Sequence, residues 1–465
     1  MDLKSKRVLV IGSGISGINA ATLLEAAGAE VALFDSNDKL VVDEIKRKLM
    51  EESRVSIYVG ELPESVTEGL ELAVLSPGVP IDNPIVLSLK EKGIKISGEI
   101  ELAYGYGRGD VIAITGTNGK TTTTTLVGEI CRNYSKTRGG DTFVVGNIGN
   151  PYTAVALDTK DDSIVVAEIS SFQLETTDTF RPKISAILNI TPDHLNRHYT
   201  MENYVKMKER IALRQTGDDV IVLNYDDPYT RDFGMRAACR VVYFTRQSFG
   251  EAKGTGCDVL HMDGDMIMYN EIPVIDVNEM HLIGTHNYEN VMAAVGITYS
   301  YGVPMDLIRD TIRDFKAVEH RIEYVRTVNG VDYYNDSKGT NPDAAIIGIK
   351  AMKKKTVLIG GGFDKKSSYD EWIEAFDGKV RYLVLLGQTA EKIAECAKNH
   401  GFNDIVMVSS MEEAVEECHK LAEPGDAVLL SPACASWGMF TNFEERGRIF
   451  KELVNGLGEQ AVGSR

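Results

Sequence analysis

The sequence predicts an α/β protein of three domains, each built on a parallel sheet. Three observations carry this. Short β-branched runs alternate with amphipathic helical stretches along almost the whole chain. Two strand–glycine turn–helix units occur, at Gly12–Gly17 and at Gly116–Thr121. And 465 residues exceed what one ordinary core holds. The expected divisions are 1–104, 105–319 and 320–465: a Rossmann-like domain, a central P-loop ATPase-like domain and a second Rossmann-like domain.

In the first domain Val8–Ile11 reads as a strand, followed by a glycine turn, a helical stretch to Ala27 and the strand Glu30–Phe34. Leu72–Leu75 and Ile94–Ile96 extend this sheet. A second series comprises Val111–Thr115, Ile164–Glu168, Ile184–Ile190, Val220–Asn224 and Val241–Phe244. Val259–Val277 alternates around Asp263-Gly264, a hairpin signal that predicts a small antiparallel addition. Helices from Asn287 to Tyr301 and Met305 to Phe315 close the domain. The third series has strands at Val331–Tyr334, Thr356–Ile359, Tyr382–Leu386, Ile405–Val408 and Ala427–Leu430, with helices at Thr389–Lys398 and Met411–Leu421.

Hydrophobic content of 43% and charged content of 25% are those of a soluble globular protein. No apolar run is long enough to span a bilayer, and MDLKSKRVLVIGSG meets a glycine turn too early for a signal peptide, so a cytoplasmic protein without membrane insertion is expected. The six cysteines form no CxxC pair, which predicts free thiols and argues against a zinc site. A formal net charge of −18 argues against nucleic-acid binding. Small anions stay possible ligands, because backbone N–H groups and a few cations hold them whatever the total charge.

Gly12-Ser13-Gly14-Ile15-Ser16-Gly17 fits GxGxxG, with Asp35 ending the next strand. Such a turn admits a diphosphate at the helix N-terminus, and the carboxylate suits a ribose hydroxyl. Alone it predicts an NAD(P)-dependent dehydrogenase, although a UDP-sugar satisfies the same physics. Thr115-Gly116-Thr117-Asn118-Gly119-Lys120-Thr121-Thr122 is the stronger signal. Its N–H groups can cradle phosphate, Lys120 can neutralise it, and the Thr121 hydroxyl can ligate Mg²⁺. It is a contracted GxxGKT, with Ile114 where the usual P-loop has glycine. A phosphate-binding switch without ligation chemistry is the rival reading of this loop.

GTNGKTTT resembles the ATP-binding loop of the Mur ligases and of folylpolyglutamate synthetase, enzymes that form amides through acyl phosphates. The resemblance implies ATP contacts at Gly116, Thr117, Asn118, Gly119, Lys120, Thr121 and Thr122. The run Glu168-Ile169-Ser170-Ser171-Phe172-Gln173-Leu174 is similar to the segment whose glutamate binds Mg²⁺ and whose Ser170, Ser171 and Gln173 would face the substrate. Asn189-Ile190-Thr191-Pro192-Asp193-His194 matches the N-x-x-x-D-H segment, which makes His194 a ligand of a second Mg²⁺. Lys208 matches a lysine carbamylated in many members, with Lys206 a competing candidate. Two Mg²⁺ ions are implied, near Thr121, Glu168, His194 and carbamylated Lys208, and Lys120, Glu168, His194 and Lys208 would carry catalysis.

Asn287 and Asn290, in His286-Asn287-Tyr288-Glu289-Asn290, match a segment near the adenine. Arg321 matches an arginine on ATP phosphate, and Asp336 and Lys338, in Asp336-Ser337-Lys338-Gly339-Thr340-Asn341-Pro342, match residues near ATP; Gly339 replaces a more familiar alanine. Gly361-Gly362-Phe363-Asp364-Lys365 and the ending Ser431-Pro432-Ala433-Cys434-Ala435-Ser436-Trp437 resemble the branch that adds D-glutamate, which implies Thr340, Lys365, Ser436 and Phe443 around that amino acid. The DNPR signature of the branch adding diaminopimelate or lysine is lacking, and a neighbouring alternative is the L-alanine-adding branch. Ile15, Ser16, Asp35 and Ser36, with Gly78 and Asn147, match positions holding the UDP-sugar; Asn37 stands where some members carry arginine. The implied activity is ATP-dependent addition of D-glutamate to UDP-N-acetylmuramoyl-L-alanine, a step of peptidoglycan synthesis, by an enzyme expected to be a monomer.

Overall fold

The computed structural model describes residues 2–50, 52–147, 149–316, 319–364 and 367–458. The chain forms two compact units, Met1–Val277 with Glu289–Ile312, and Asn278–Tyr288 with Arg313–Arg465.

The first unit holds two sheets. β1 (Arg7–Ile11), β2 (Glu30–Asp35), β3 (Ser56–Val59), β4 (Leu72–Leu75) and β5 (Lys95–Gly98) lie parallel in the order β3-β2-β1-β4-β5. The chain leaves β1 toward one edge and returns through β4 toward the other, so the crevice beyond β1 and β4 is a switch point. Pairing of Ile11 with Leu75 brings Gly12 beside Ser76, whose hydroxyl donates to Gly12 O at 3.1 Å. β3 is a half-buried edge strand whose alternating Ser56 and Tyr58 give no continuous apolar run.

The second sheet contains β6 (Asp110–Thr115), β7 (Thr142–Gly146), β8 (Ile164–Glu168), β9 (Ile184–Ile187), β10 (Val220–Asn224), β11 (Arg240–Thr245), β12 (Asp258–Asp263), β13 (Met266–Tyr269) and β14 (Ile272–Asp276). Their order is β14-β13-β12-β11-β10-β9-β6-β8-β7. Among the described residues of this sheet only the pairs β12–β13 and β13–β14 are antiparallel. The hairpin at Asp263-Gly264 therefore extends the main sheet, because β12 pairs parallel with β11. β9 ends at Ile187, three residues before its expected end at Ile190, because the chain there turns onto the glycine loop: Leu188 N donates to Thr115 O and Thr117 N to Asn189 O.

One apolar cluster joins both sheets, running from Val8, Val10 and Leu24 through Ile100 and Tyr152 to Val111, Val165 and Ile187. Two buried carboxylates fasten the junction. Glu101 accepts from Asp178 N, Thr179 N and Phe180 N, and Glu99 accepts from Thr153 N and Oγ1. Charge-assisted bonds of this kind offset the cost of taking a carboxylate out of water.

The second unit carries β15 (Glu323–Val328), β16 (Val331–Asn335), β17 (Thr356–Gly360), β18 (Val380–Leu385), β19 (Ile405–Met407) and β20 (Ala427–Leu430), in the order β15-β16-β20-β17-β18-β19. β15 and β16 form an antiparallel hairpin through Asn329-Gly330, both at positive φ, and the other strands are parallel. Separate apolar clusters cover the two faces, one around Trp372 and Leu383, the other around Tyr333 and Phe450. Among the described residues no helix is long and apolar enough to cross a membrane.

Candidate active site

The central β6 lies between β8 and β9, so the loops that leave these three strands meet at one edge of the sheet. After Thr115 the chain makes the turn Gly116–Gly119, and the helix Lys120–Arg138 begins. The first N–H groups of a helix have no partner within it and present a partial positive charge. Gly119 holds φ 83°, and a Cβ there would sit 2.2 Å from Asn290 Oδ1, so both conformation and space demand glycine. Asn290 thereby lies against the loop, with Thr123 Oγ1 3.4 Å from its Oδ1.

The loop is wired to the segment after β9. Asn118 N donates to Asn189 Oδ1 at 2.8 Å, Asn189 Nδ2 donates to Asn118 O, and Thr191 N donates to Thr117 Oγ1. Thr117 Oγ1 also lies 3.1 Å from the Tyr204 hydroxyl. Lys120 folds back, its Nζ donating to Gly116 O at 2.8 Å and Thr117 O at 2.9 Å. Thr121 is half-buried in the first turn, while Thr122 is buried.

Glu168 ends β8 at 1% exposure. Its Oε1 accepts from Asn147 Nδ2 at 2.8 Å, whereas Oε2 has no hydrogen-bond partner among the described residues. A buried carboxylate oxygen without a donor is costly, and a hard divalent cation is the partner that satisfies it. The residues present therefore fit Mg²⁺. Lys208 is 1% exposed, donates to Gly116 O at 2.8 Å and lies 4.6 Å over the Tyr204 ring. Burial, and then the charge of Lys120, hold its ammonium well below the usual lysine range. Lys206 instead pairs with Glu202 at the exposed surface.

His194 opens the short helix Leu195–His198 at φ 51°. Its ring is half-exposed, 3.4 Å from Asp193 Oδ2, with its centroid 4.9 Å from that of Phe172. One turn on lies His198, which sequence reasoning missed. It is buried, with Nε2 2.9 Å from Ser171 Oγ and Nδ1 3.8 Å from Glu175. Burial lowers its pKa despite Glu175. Arg197, also missed, bonds Glu175 and reaches Val79 O at 3.0 Å, joining this loop to the one after β4. The spacing of His194 and His198 was the available signal, since four residues apart on a helix share a face.

On the first sheet, Asp35 accepts from Ser13 N at 2.8 Å, Ser13 Oγ at 2.7 Å and Asn37 N at 3.0 Å. Burial pushes its carboxyl up, but these bonds outweigh it and hold the group below the usual range. Ile15 is 74% exposed at the start of its helix, beside half-buried Ser16, and Ser36 and Gly78 are also exposed. Ser170 and Gln173 form a capping box: Ser170 N and Oγ donate to Gln173 Oε1, Gln173 N donates to Ser170 Oγ, and the Gln173 side chain also bonds Glu99.

In the second unit Asp336 follows β16 and is buried. Ser431 Oγ donates to its Oδ2 at 2.7 Å. Burial raises its pKa to about 7, opposed by Ser431 and by the nearby Arg321 charge. A Cβ on Gly339 would stand 2.8 Å from Asp336 Oδ2 and 3.0 Å from Ser431 Oγ, so alanine here requires those side chains to shift. Lys338 Nζ lies 5.7 Å from the Phe443 ring centroid, and half-buried Thr340 donates its N–H to Lys338 O. Arg446 is buried and was not assigned a role from sequence. Its guanidinium donates to Ser337 O at 2.7 Å, Ser337 Oγ at 2.9 Å and Cys434 O at 3.1 Å, tying the loop of Asp336–Thr340 to the loop of Cys434–Ser436. Burial lowers its pKa to about 10. Ser436 is buried, and Asn287 donates to Ile283 O at 2.7 Å. Lys365 lies outside the described residues.

Three family descriptions match the chain: "Mur ligase MurD-like, N-terminal domain" over residues 6–98, "Mur ligase middle domain" over 114–298 and "Mur ligase, glutamate ligase domain" over 320–434. Among curated relatives, the UDP-N-acetylmuramoylalanine–D-glutamate ligase of Lachnospira eligens is 55% identical, covering 98% of this chain and 100% of the relative. Ligases of the same name are 53% identical in Lachnoclostridium phytofermentans (99% and 100% covered) and 48% in a Thermoanaerobacter strain (98% and 99%). The UDP-N-acetylmuramate–alanine ligase structure of Thermotoga maritima superposes with a TM-score of 0.59 at 19% identity, covering 97% of this chain and 99% of that one. MurF from Acinetobacter baumannii gives 0.60 at 16% identity, with 96% and 94% covered; at such identities the likeness speaks for the fold. The glycine loop of β6, the carboxylate ending β8, the histidine segment after β9 and the three matched domains agree: this chain belongs to the Mur ligase family.

Proposed function

We propose that this enzyme uses ATP to join D-glutamate to UDP-N-acetylmuramoyl-L-alanine, a cytoplasmic step of peptidoglycan precursor synthesis. Near-full-length identity with ligases of that name carries the reading. The domain limits 1–104, 105–319 and 320–465, a monomeric state and the ligand contacts below belong to the same proposal.

The sugar-linked alanine carboxylate attacks the γ-phosphate of ATP, the bond to the bridging oxygen breaks, and an acyl phosphate and ADP form. The amine of D-glutamate then attacks the acyl carbon. Phosphate leaves with the C–O bond electrons, the nitrogen loses a proton, and the amide remains. The protein positions the reactants and neutralises charge. Lys120 exchanges its bonds to Gly116 O and Thr117 O for phosphate oxygens. Asn147 orients Glu168 through Oε1 and leaves Oε2 free. When bound, two Mg²⁺ ions supply charge neutralisation at the phosphates; Thr121, Glu168, His194 and Lys208 would hold them.

Lys208 serves as a carbamate. Its buried environment favours the neutral amine, the form that adds CO₂ with loss of a proton and becomes a carboxylate-like anion. Arg321, Asp336, Lys338, Asn287 and Asn290 contact ATP. Ile15, Ser16, Asp35, Ser36, Gly78, Asn147, Ser170, Ser171 and Gln173 serve the UDP-sugar. Thr340, Lys365, Ser436 and Phe443 receive D-glutamate, with Arg446 setting the two loops that carry Thr340 and Ser436.

Phosphate release is measured with ATP, Mg²⁺ and UDP-N-acetylmuramoyl-L-alanine, comparing D-glutamate, L-glutamate and diaminopimelate. A second arm pairs L-alanine with the acceptor that lacks alanine. Turnover with D-glutamate alone, with a product heavier by one glutamyl residue, is expected. Turnover with another amino acid instead overturns the assignment of substrate.

A further inference from the structure

Outside the site just described, two helices of the second unit each turn a pair of donor side chains toward the other. Asp370 and Glu374 are four residues apart on the helix Asp370–Glu374. Cys396 lies in the helix Ala390–Asn399, and His400 caps its C-terminus. Residues spaced by four lie on one helix face, so each helix offers two ligands at once.

Asp370, Cys396 and His400 each bring a donor atom within 4.8 Å of the other two. His400 Nε2 lies 3.7 Å from Asp370 Oδ1 and 3.6 Å from Glu374 Oε1, and Cys396 Sγ lies 3.7 Å from Asp370 Oδ1. Tetrahedral Zn²⁺ with the usual bond lengths separates its ligand atoms by about 3.4–3.6 Å. These three separations lie within a few tenths of an ångström of that spacing, and Cys396 Sγ lies 4.0 Å from the His400 ring at Nδ1.

The surrounding bonds favour ligation as well. His400 Nδ1 lies 3.0 Å from Cys396 O, so the ring proton sits on Nδ1 and the Nε2 lone pair points at the carboxylates. Asp370 Oδ2 is taken by the Ser368 hydroxyl, which leaves Oδ1 for the ion. An imidazolium paired with Asp370 and Glu374, with the Cys396 thiol donating to Asp370, is the metal-free arrangement of the same contacts. The six cysteines form no CxxC pair, but this site needs only one thiol, one imidazole and a carboxylate.

We infer that Asp370, Cys396 and His400, with Glu374 beside the imidazole, form a binding site for a thiophilic divalent cation, Zn²⁺ by ligand chemistry, that clamps these two helices together. Binding converts the Cys396 thiol to a thiolate and releases its proton to solvent. The site's partial exposure gives the ion an entry path.

The test titrates chelator-treated full-length protein with Co²⁺, then with competing Zn²⁺. One equivalent of Co²⁺ is expected to give a near-ultraviolet thiolate charge-transfer band that Zn²⁺ abolishes. Cys396→Ser loses the band, and His400→Gln weakens Co²⁺ binding by about tenfold or more. Zn²⁺ raises the melting temperature of the wild type and not that of Cys396→Ser. Absence of the band, its persistence in Cys396→Ser, or an equal Zn²⁺ shift in both proteins overturns the proposal. Mg²⁺ sites in the catalytic centre do not interfere, because their oxygen and nitrogen donors give no thiolate band.

Discussion

The two glycine turns, Gly12–Gly17 after β1 and Gly116–Thr121 after β6, leave parallel strands at comparable switch points and are closed by opposite charges. A carboxylate closes the first: Asp35 takes both the N–H and the hydroxyl of Ser13, and Ile15 is left standing in solvent. An ammonium closes the second, with Lys120 on two loop carbonyls and buried Glu168 ending the adjacent strand. The first arrangement suits hydroxyls and a flat neutral ring. The second suits a polyanion accompanied by a cation. Similar backbones therefore present different chemistry, and the side chains that close a turn say more about a fitting ligand than its glycines do.

The sharpest break between the turns is Lys120→Ala. Loss of the cation proposed to meet the transferring phosphate should lower kcat by about 10²–10³-fold with the fold intact by circular dichroism. A fall of less than tenfold would remove the distinction between the turns.

A smaller effect concerns a third strand end, where Asp336 is buried with its carboxyl raised to about 7. Its folded pKa exceeds the unfolded one, so the folded state binds the extra proton between roughly pH 4 and 7. Stability from this group is present below the unfolded value and lost as pH rises through about 7. Asp336→Asn should remove that loss, so thermal melts from pH 5 to 8 should show the variant gaining on the wild type by up to a few kcal/mol. Parallel pH profiles would contradict it.

Next comes Gly17→Ala. Its Cβ would meet Gly12 O at 1.7 Å, a backbone atom, and overpacking of this kind costs about 1–3 kcal/mol. Gly119→Ala meets the Asn290 side chain instead, so it should affect ATP affinity more than melting temperature. Chemical denaturation and ATP titration of both variants separate the two. Smallest is Ser13→Ala, which removes one hydrogen bond to Asp35: about 0.5–1.5 kcal/mol, and a change in KM for the UDP-sugar below about tenfold. An equal loss of ATP affinity would show that the turns are not independent.

Strands with continuous apolar runs, such as β4, β8, β10 and β20, were legible because both faces of a parallel sheet are covered. The edge strands β3, β7 and β15 were not, since half-buried edges mix polar and apolar residues. Asn329-Gly330 was a hairpin signal that would have revealed β15. The glycine loop and Asp336 directly follow strands and Glu168 ends one, which is what drew the sequence reading to them. Lys208 could not be separated from Lys206: two residues on a helix differ by about 200°, and only the packed structure shows which side faces Gly116. Arg446 was illegible for the opposite reason, since an arginine in an amphipathic helix reads as solvated until its burial is seen.

The central claim, phosphoryl activation of the sugar-linked alanine carboxylate followed by capture with D-glutamate, is tested most directly by heavy-oxygen labelling of that carboxylate. Mass spectrometry of a complete reaction should find one labelled oxygen transferred to inorganic phosphate and one retained in the product amide. Label in AMP, or phosphate free of label, would contradict the account.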